Sequence, residues 1–299
     1  MHIEQLLEDF CSYAKFIRGV SDNSIKRYKH NISHFISRSK ITTMSEINDQ
    51  NVLVFFFEGR IHRKWKATTY RTNYMSLVVF FDWAVTNKYM EKNYIKGLEL
   101  PKIPKSLPKN LSKQQAAIIL ETTLNYPYTK PFLRYRNHAI FATFIFAGIR
   151  KDELLRLTLT DVDVENRTLF INGKGEKQRI VPMSFKLANI LERYLKERQK
   201  MKKTCTSFFT SYHLNQGYTD AGLRRLVKCI RETCGIYFRP HILRHTFATL
   251  MLEGGCDIYS LSKMMGHSDI KTTTLYLSAS AEHLRGQLFK HPLETTTIK

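Results

Sequence analysis

Hydrophobic positions in the first hundred residues recur at the spacing of α-helices. From Ser24 onward, basic residues lie off a helix face that carries Ile25, Tyr28, Ile32, Phe35 and Ile36. Further helices are predicted over 51–57 and from about residue 68, where one stripe carries Tyr74, Leu77, Phe81 and Ala84. The aromatic residues on these stripes are expected to form a core rather than to stack on bases.

Beyond residue 110 the helical spacing continues with clearer boundary signals. Ser112 is placed to cap a helix, and the segment 136–148 reads as a buried helix that ends at glycine. A further helix is predicted over 187–195. From Pro240 onward, short helices are expected between glycines.

Two short strands interrupt this helical pattern. Thr168–Ile171 and Arg179–Val181 are rich in residues that favour strands, and the segment 173–177 between them contains two glycines. The sequence therefore predicts a mainly α fold with a small β-sheet or hairpin in its second half.

A proline-rich joint separates the two halves. Three prolines fall within eight residues, at Pro101, Pro104 and Pro108, and they forbid a continuous helix. We therefore expect an N-terminal helical domain over 1–99, a linker over 100–110 and a C-terminal domain over 111–299. Two linker lysines suit a strap along phosphates, although a solvated linker explains them equally well: Lys102 and Lys105.

The charge of the chain favours a polyanionic partner. There are 47 basic and 26 acidic residues, a formal net charge of +21. Up to residue 110 there are 18 basic and 10 acidic residues, and 29 and 16 after it, so the excess is not a terminal tail. Nucleic acid is the first expectation and an acidic membrane surface the second. In the first half the candidate DNA-binding residues, each equally explained as a solvated surface charge, are Lys26, Lys29, Arg63, Lys64, Lys66 and Arg71.

Other classes of protein are disfavoured. The start of the chain has no secretory signal, and the apolar run 139–147 is too short to cross a bilayer. The pattern GxxxxGK[ST] is absent, so ATP use is not supported. No zinc spacing joins the five cysteines, which are read as reduced cytosolic thiols with no metal: Cys11, Cys205, Cys229, Cys234 and Cys256.

His241 and Arg244 are the first candidates for chemistry. They are three residues apart, and so share one face of a helix, and Pro240 before them suits the first helical position. Both side chains are then near a helix N-terminus, where free N–H groups favour an anion. Arginine adds a planar fork that matches phosphate oxygens. A phosphate site is predicted here.

Three further positions extend that site. Gly266 reads as a helix C-cap that places His267 at a junction, and Tyr276 follows within or just after the next helix. A tyrosine hydroxyl can act as a covalent nucleophile where neighbours stabilise the transition state. Arg150 has Glu153 three residues on, which either orients the guanidinium or forms an ordinary surface ion pair. Lys174 lies between two glycines, which permit close approach of a nucleic-acid strand.

Together these positions resemble the tyrosine site-specific recombinase (phage integrase) family, and within it the two-domain Xer-type bacterial recombinases. The resemblance spans nearly the whole chain. Its local strings are 147–150 (AGIR), 172–175 (NGKG), 241–245 (HILRH) and 265–268 (MGHS), with Met265 where leucine is usual. The residues that match the family's catalytic set are Arg150, Lys174, His241, Arg244, His267 and Tyr276.

The resemblance implies roles for these residues. Tyr276 would attack the scissile phosphate and form a 3′-phosphotyrosyl link, while Arg150 and Arg244 would hold the non-bridging oxygens. Lys174 would protonate the leaving 5′-oxygen. His241 would accept or orient the tyrosine proton, and His267 would form a hydrogen bond with the phosphate.

The resemblance also implies partners and an architecture. The two domains would form a clamp around a DNA recombination site, and protomers would assemble as a tetramer on two sites, alone or with a paralogue or accessory protein. Leu284 and Leu288 predict a C-terminal helix that docks into a neighbouring protomer or packs within its own chain. No cofactor is expected, and the location would be cytoplasmic, with the nucleoid. The alternatives are a type IB topoisomerase-like enzyme and a non-catalytic DNA-binding regulator.

Overall fold

Helices build most of this protein, and one small sheet lies in its second half. The computed structural model describes residues 2–103, 109–173, 178–267 and 269–277. The chain divides into two units, Met1–Lys105 and Ser106–Lys299. No described helix is long and apolar enough to span a membrane.

The first unit is a set of four helices around an aromatic core. Phe35 packs edge-on against Phe55 and Phe81, so side chains from three helices meet at one point. The face predicted from Ser24 is confirmed, and α3 begins with a capping box between Asn48 and Asn51. The helices are α1 (Ile3–Phe16), α2 (Asp22–Ser39), α3 (Asp49–Ile61) and α4 (Ala67–Thr86).

The second unit surrounds one largely buried helix, α6. α6 begins at Pro131, five residues before the predicted start, because proline suits the first helical turn. The predicted end at Gly148 and the predicted cap at Ser112 are confirmed. The helices are α5 (Lys113–Asn125), α6 (Pro131–Ala147), α7 (Lys151–Arg156), α8 (Phe185–Lys200), α9 (Asp220–Cys234), α10 (Pro240–Glu253), α11 (Ile258–Met265) and α12 (Lys271–Leu277).

Both predicted strands are present, and a third, two-residue strand joins them. The antiparallel order is β1 (Val162–Asp163), β2 (Thr168–Asn172) and β3 (Gln178–Pro182). Leu169 pairs with Val181, and both are buried against the core. Since side chains alternate across a strand, Arg179 lies on the same face of β3 as Val181.

A small apolar cluster lies apart from the main core of the second unit. It joins α10, α11 and α12 through buried side chains, and its members are Phe247, Ala248, Leu252, Leu261, Met265 and Tyr276. The cluster fixes α12 against α10. Tyr276 belongs to this cluster, Arg244 contacts the carbonyl of Met265 in it, and the ring of His267 lies against that of Tyr276.

Candidate active site

Arg150 is positioned by the sharp end of α6. Gly148 has φ of 60°, in the left-handed region that favours glycine. A Cβ at Gly148 would lie 2.1 Å from the ring of Phe247 on α10. The chain therefore turns where the end of α6 lies close against α10, and Arg150 follows that turn at the start of α7.

Replacing Gly148 by alanine is expected to destabilise the second unit strongly. The left-handed backbone costs about 1–2 kcal/mol for an L-residue, and the clash with Phe247 adds about 1–3 kcal/mol of overpacking. Gly235→Ala is the matched control, because Gly235 has φ of 69° but nothing within 4 Å of its Cβ position. Urea denaturation of both variants measures the difference. Equal losses at the two sites would contradict the close approach.

Glu153 is the buried carboxylate at the centre of the site. It accepts hydrogen bonds from the backbone N–H of Arg150 at 2.7 Å and from the Arg150 guanidinium at 2.9 Å. Arg179 adds a bidentate pair, with both distances 2.8 Å. Burial alone would raise the pKa of Glu153, but the bonds from Arg179 and Arg150 hold it at about 2. The ion pair between Arg150 and Glu153 considered from sequence is formed, and because its carboxylate is buried, Glu153 orients the guanidinium from below the surface.

Arg179 ties the sheet to the rest of the site. Its Nε donates to the carbonyl of Met264 at 2.7 Å. A Cβ at Gly266 would lie 2.9 Å from the Arg179 side chain, so the glycine leaves room for it. The strand β3 is thereby held against the end of α11. Lys174 itself lies outside the described residues.

Arg244 is a buried cation that faces three acceptors. Its Nη1 donates to the carbonyl of Gly148 at 2.6 Å, and its Nη2 donates to the carbonyl of Met265 at 2.5 Å. Nη2 also lies 3.2 Å from Nε2 of His267. Burial, followed by the charge of Arg150, lowers the pKa of Arg244 to about 10, so the guanidinium remains charged at neutral pH. These bonds use three of the five N–H groups of a guanidinium.

His267 links Arg244 to the last helix. Because the guanidinium of Arg244 can only donate, Nε2 of His267 accepts this hydrogen bond. The proton of the neutral imidazole then lies on Nδ1, which is 2.8 Å from Oγ1 of Thr273. Burial, followed by the charge of Arg244, lowers the pKa of His267 to about 4. A threonine hydroxyl both donates and accepts, so Thr273 also suits the other tautomer of His267, in which Nε2 carries the proton.

Tyr276 is buried, with an exposed fraction of 3%. Its ring is nearly parallel to that of His267, with centroids 6.4 Å apart. Its hydroxyl lies 2.6 Å from Nδ1 of His245. Burial raises the pKa of Tyr276, and the charges of Arg244 and Arg150 oppose that rise without reversing it. The hydroxyl is therefore protonated at neutral pH and must lose its proton during any attack.

His241 lies at the edge of this cluster. Pro240 begins α10 as predicted, and His241 follows it on the exposed side. Its ring contacts the ring of His245 edge-on, with centroids 5.8 Å apart. Within the part of the chain that the structure describes, Arg150, Arg244, His267 and Tyr276 form one cluster, and the ring contact of His241 is with His245.

The candidate DNA-binding residues differ in their surroundings. Lys29 forms an ion pair with Glu8, and Nε of Arg71 donates to the carbonyl of Pro101 at 3.1 Å. Lys105 lies outside the described residues, as do Leu284 and Leu288. The other candidates are exposed: Lys26, Lys64, Lys66 and Lys102.

Two residues that contact the cluster received no role in the sequence analysis. His245 was only part of a matching string, and Arg179 only part of a strand. The spacing of His245 from His241 is four residues, which places the two on one helix face and is a usable signal. An inward-facing arginine on β3 is a second signal, but it requires knowing that Val181 rather than Ile180 faces the core.

Comparison with known proteins identifies this arrangement. Residues 109–283 match the phage integrase family, and residues 6–91 match the phage integrase N-terminal SAM-like domain. The chain belongs to the phage integrase family. It is a Xer-like tyrosine recombinase, an enzyme of site-specific DNA recombination.

Relatives in this family match over nearly the full length. Tyrosine recombinase XerD of Listeria monocytogenes is 31% identical over 293 residues, which cover 95% of this chain and 97% of the relative. Tyrosine recombinase XerC of Corynebacterium efficiens is 31% identical over 282 residues, which cover 94% of this chain and 88% of the relative. Both proteins carry the Xer name, which confirms the resemblance drawn from the motifs.

Solved structures of the family share the fold. The XerH site-specific recombinase bound to palindromic difH substrate, in a post-cleavage complex, has a TM-score of 0.73 at 23% identity, with coverage of 95% of this chain and 83% of that chain. A lambda integrase dimer bound to a COC′ core site has a TM-score of 0.71 at 16% identity, with coverage of 92% and 95%. The mainly α fold with a small sheet is thus the fold of known recombinases.

Proposed function

We propose that this recombinase cuts and rejoins DNA through a 3′-phosphotyrosyl intermediate, with Tyr276 as the nucleophile. One observation carries the proposal: Arg244 contacts His267, and the ring of His267 stacks on that of Tyr276. A cation suited to phosphate and a hydroxyl suited to attack are therefore neighbours. The proton that Tyr276 loses goes to a histidine of α10.

Arg150 and Arg244 would bind the non-bridging oxygens of the scissile phosphate. Arg150 keeps 44% of its side chain exposed, so DNA can reach it. Glu153 offsets part of the charge of the surrounding guanidinium groups, and an excess of positive charge remains for the phosphate. Hydrogen bonds aimed at the charge that develops in the transition state are a large source of rate enhancement. A bound phosphate would compete with the carbonyls of Gly148 and Met265 for the N–H groups of Arg244.

Lys174 would give a proton to the leaving 5′-oxygen, the role of a general acid. His267 would donate a hydrogen bond to the phosphate after its proton moves to Nε2, with Thr273 donating to Nδ1. The covalent link conserves the free energy of the phosphodiester, so rejoining requires neither ATP nor a metal.

DNA would also bind along α2 of the first unit. Nη1 of Arg63 lies 2.9 Å from Nε2 of His34, and the rings of His34 and His30 stack. Lys26 is four residues before His30, so it continues this row on the same helix face. A row of groups able to contact phosphates thus runs from α2 to the turn before α4.

The affinity for DNA is expected to fall steeply as the salt concentration rises, and Lys26→Ala is expected to make this salt dependence weaker. Each phosphate contact contributes about −0.9 to the slope of log affinity against log salt, so the variant should lower the magnitude of the slope by about 0.9. Lys92→Ala is the control, because Lys92 is also exposed but pairs with Asp49 away from this row. Fluorescence anisotropy over a salt series measures both slopes. Equal slopes for Lys26→Ala and the parent protein would exclude Lys26 from the interface.

We further propose a tetramer on two recombination sites as the assembly, acting on chromosomal or mobile DNA in the cytoplasm, at the nucleoid. With two protomers on each site, one protomer can cut each of the two strands, and the cut ends of one site can be joined to those of the other. Light scattering gives the number of protomers for each duplex, with a duplex that carries the site identified by the covalent-adduct experiment described next. A complex that never exceeds one protomer for each duplex would contradict it.

The test of the proposed chemistry is a covalent adduct. The protein is incubated with a pool of nicked duplexes that contain randomised sequence, because loss of the short fragment beside the nick prevents resealing. An SDS-resistant protein–DNA species is expected, with the protein on the 3′ phosphate, and sequencing of the trapped DNA defines the site. Binding without any adduct would instead support a DNA-binding regulator. Plasmid relaxation without recombinant product would support a topoisomerase.

A further inference from the structure

The hydroxyl of Tyr276 makes a short contact with a histidine that has no role so far. Nδ1 of His245, on α10, lies 2.6 Å from Oη of Tyr276, on α12. The two rings are tilted with centroids 5.4 Å apart. Because the apolar cluster around Phe247 holds Tyr276, the contact is supported by packing on both helices.

The proton in this contact belongs to the tyrosine. Burial lowers the pKa of His245 to about 4, and the charges of His241 and Arg244 add to the effect. The ring is therefore neutral near pH 7, with one nitrogen that can accept. A phenol is a strong donor and a poor acceptor, whereas an unprotonated imidazole nitrogen accepts well, so the O–H of Tyr276 donates to Nδ1.

His241 has no comparable access to the nucleophile. Among the described residues, the hydrogen bond of the Tyr276 hydroxyl goes to His245, and the contact that places His241 in the cluster is with the ring of His245. A candidate base must lie within hydrogen-bonding reach of the proton that it removes. His245 meets that requirement in this structure.

We propose that His245, rather than His241, receives the proton of Tyr276 as the nucleophile attacks; this rests on the proposed function above and deepens it. As the bond between Oη and phosphorus forms, the bond between phosphorus and the 5′-oxygen breaks. The tyrosine proton moves to Nδ1 of His245, and Lys174 protonates the 5′-oxygen. Rejoining reverses each transfer, with His245 returning its proton to Oη.

DNA itself makes the transfer easier. The groups that face His245 are His241 and Arg244 on its own helix, Tyr276 on α12 and His267 before α12. A bound phosphate adds a negative charge next to Arg244, and a nearby negative charge favours the protonated form of an imidazole. The tyrosine oxygen also becomes far more acidic once it is bonded to phosphorus. The histidine is thus neutral before DNA binds and becomes a better base when it does.

His245→Asn is the decisive variant. Asparagine places an oxygen close to the position of Nδ1, so it can accept the hydrogen bond but cannot take the proton. On nicked duplexes of the recovered site, adduct formation is expected to slow by about 10²-fold or more, the usual contribution of general base catalysis. The residual rate should rise with pH from about pH 6 to about pH 9, because hydroxide and buffer then remove the proton. Circular dichroism and DNA affinity check that the variant folds and binds.

A second substrate separates proton transfer from structure. In a Tyr276→Phe background, DNA with a 3′ p-nitrophenyl phosphate is joined to a 5′-hydroxyl strand, and p-nitrophenolate leaves without a proton. His245→Asn should keep this joining rate within about threefold, while cleavage by the single variant stays slow. Equal losses in both assays, or cleavage by His245→Asn within about threefold of the parent rate, would overturn the proposal. Failure of the proposed function looks different: no adduct with the unmodified protein, or an adduct that persists in Tyr276→Phe.

Discussion

Tyr276→Phe is expected to bind DNA with unchanged affinity and to form no covalent adduct. Removing a nucleophile that forms a covalent intermediate costs on the order of 10⁴-fold or more in rate, so the adduct should fall below detection. The phenyl ring still fills the apolar cluster, which limits structural damage. An SDS gel of the nicked-duplex reaction measures the adduct, and a native gel measures binding.

Tyr194→Phe is the matched control for that experiment. Tyr194 is also fully buried in the second unit, and its hydroxyl donates to the carbonyl of Phe208 at 2.8 Å and accepts from the N–H of Thr210 at 3.2 Å, away from the cluster around Tyr276. Each substitution removes one buried hydroxyl and leaves its hydrogen-bond partners unpaired, at a cost of about 1–3 kcal/mol for each partner. Both variants should therefore lose stability, but only Tyr276→Phe should lose the adduct. An adduct that survives in Tyr276→Phe would assign the nucleophile to another residue.

Local signals predicted most of the fold. A serine cap located the start of α5 and a glycine cap located the end of α6, since a cap involves only residues close to one another in the chain. The helix α9 was not predicted, although Leu223, Leu226 and Val227 follow helical spacing and are buried. The strand β1 has only two residues, which is too short for any alternation to show.

The candidate site was predictable as a set of residues and not as a set of contacts. Arg244 and His267 follow from spacing within motifs, and their meeting is confirmed by a distance of 3.2 Å. The contact between His245 and Tyr276 spans 31 positions and depends on how α12 packs on α10. No local pattern encodes that packing. The proton acceptor therefore had to be assigned to a histidine by analogy, and the structure offers a different one.

The role of Arg179 was hidden for a related reason. Val181 and Ile180 are both apolar, so the pattern alone does not say which of them faces inward, and a shift of one residue exchanges the faces of the whole strand. The structure buries Val181 and exposes Ile180, which turns Arg179 toward Glu153. A buried carboxylate needs such partners, since an unpaired charge in that position would be costly.

Arg244→Lys is expected to slow adduct formation by about 10²–10³-fold while DNA binding changes little. That range is the usual cost of losing one preorganised donor to a transition-state oxyanion. A lysine ammonium is a single point charge and cannot reproduce the planar fork that spans the carbonyls of Gly148 and Met265. Arg136→Lys is the control, because Arg136 is also a buried arginine, with bonds to Thr210 and Asn137 outside the cluster. It should lower stability and leave the rate of adduct formation close to that of the parent protein.

The pH dependence of Arg244→Lys distinguishes charge from shape. Burial already lowers the pKa of Arg244 to about 10, and the guanidinium still stays charged at neutral pH. A lysine starts from a lower ordinary pKa, and the same burial lowers it further, so its charge is lost as pH rises. The residual rate of Arg244→Lys should therefore decline from about pH 7 to about pH 9, where the parent protein shows no such decline. A residual rate that does not fall over this range would mean that Arg244 acts through the geometry of its hydrogen bonds more than through its charge.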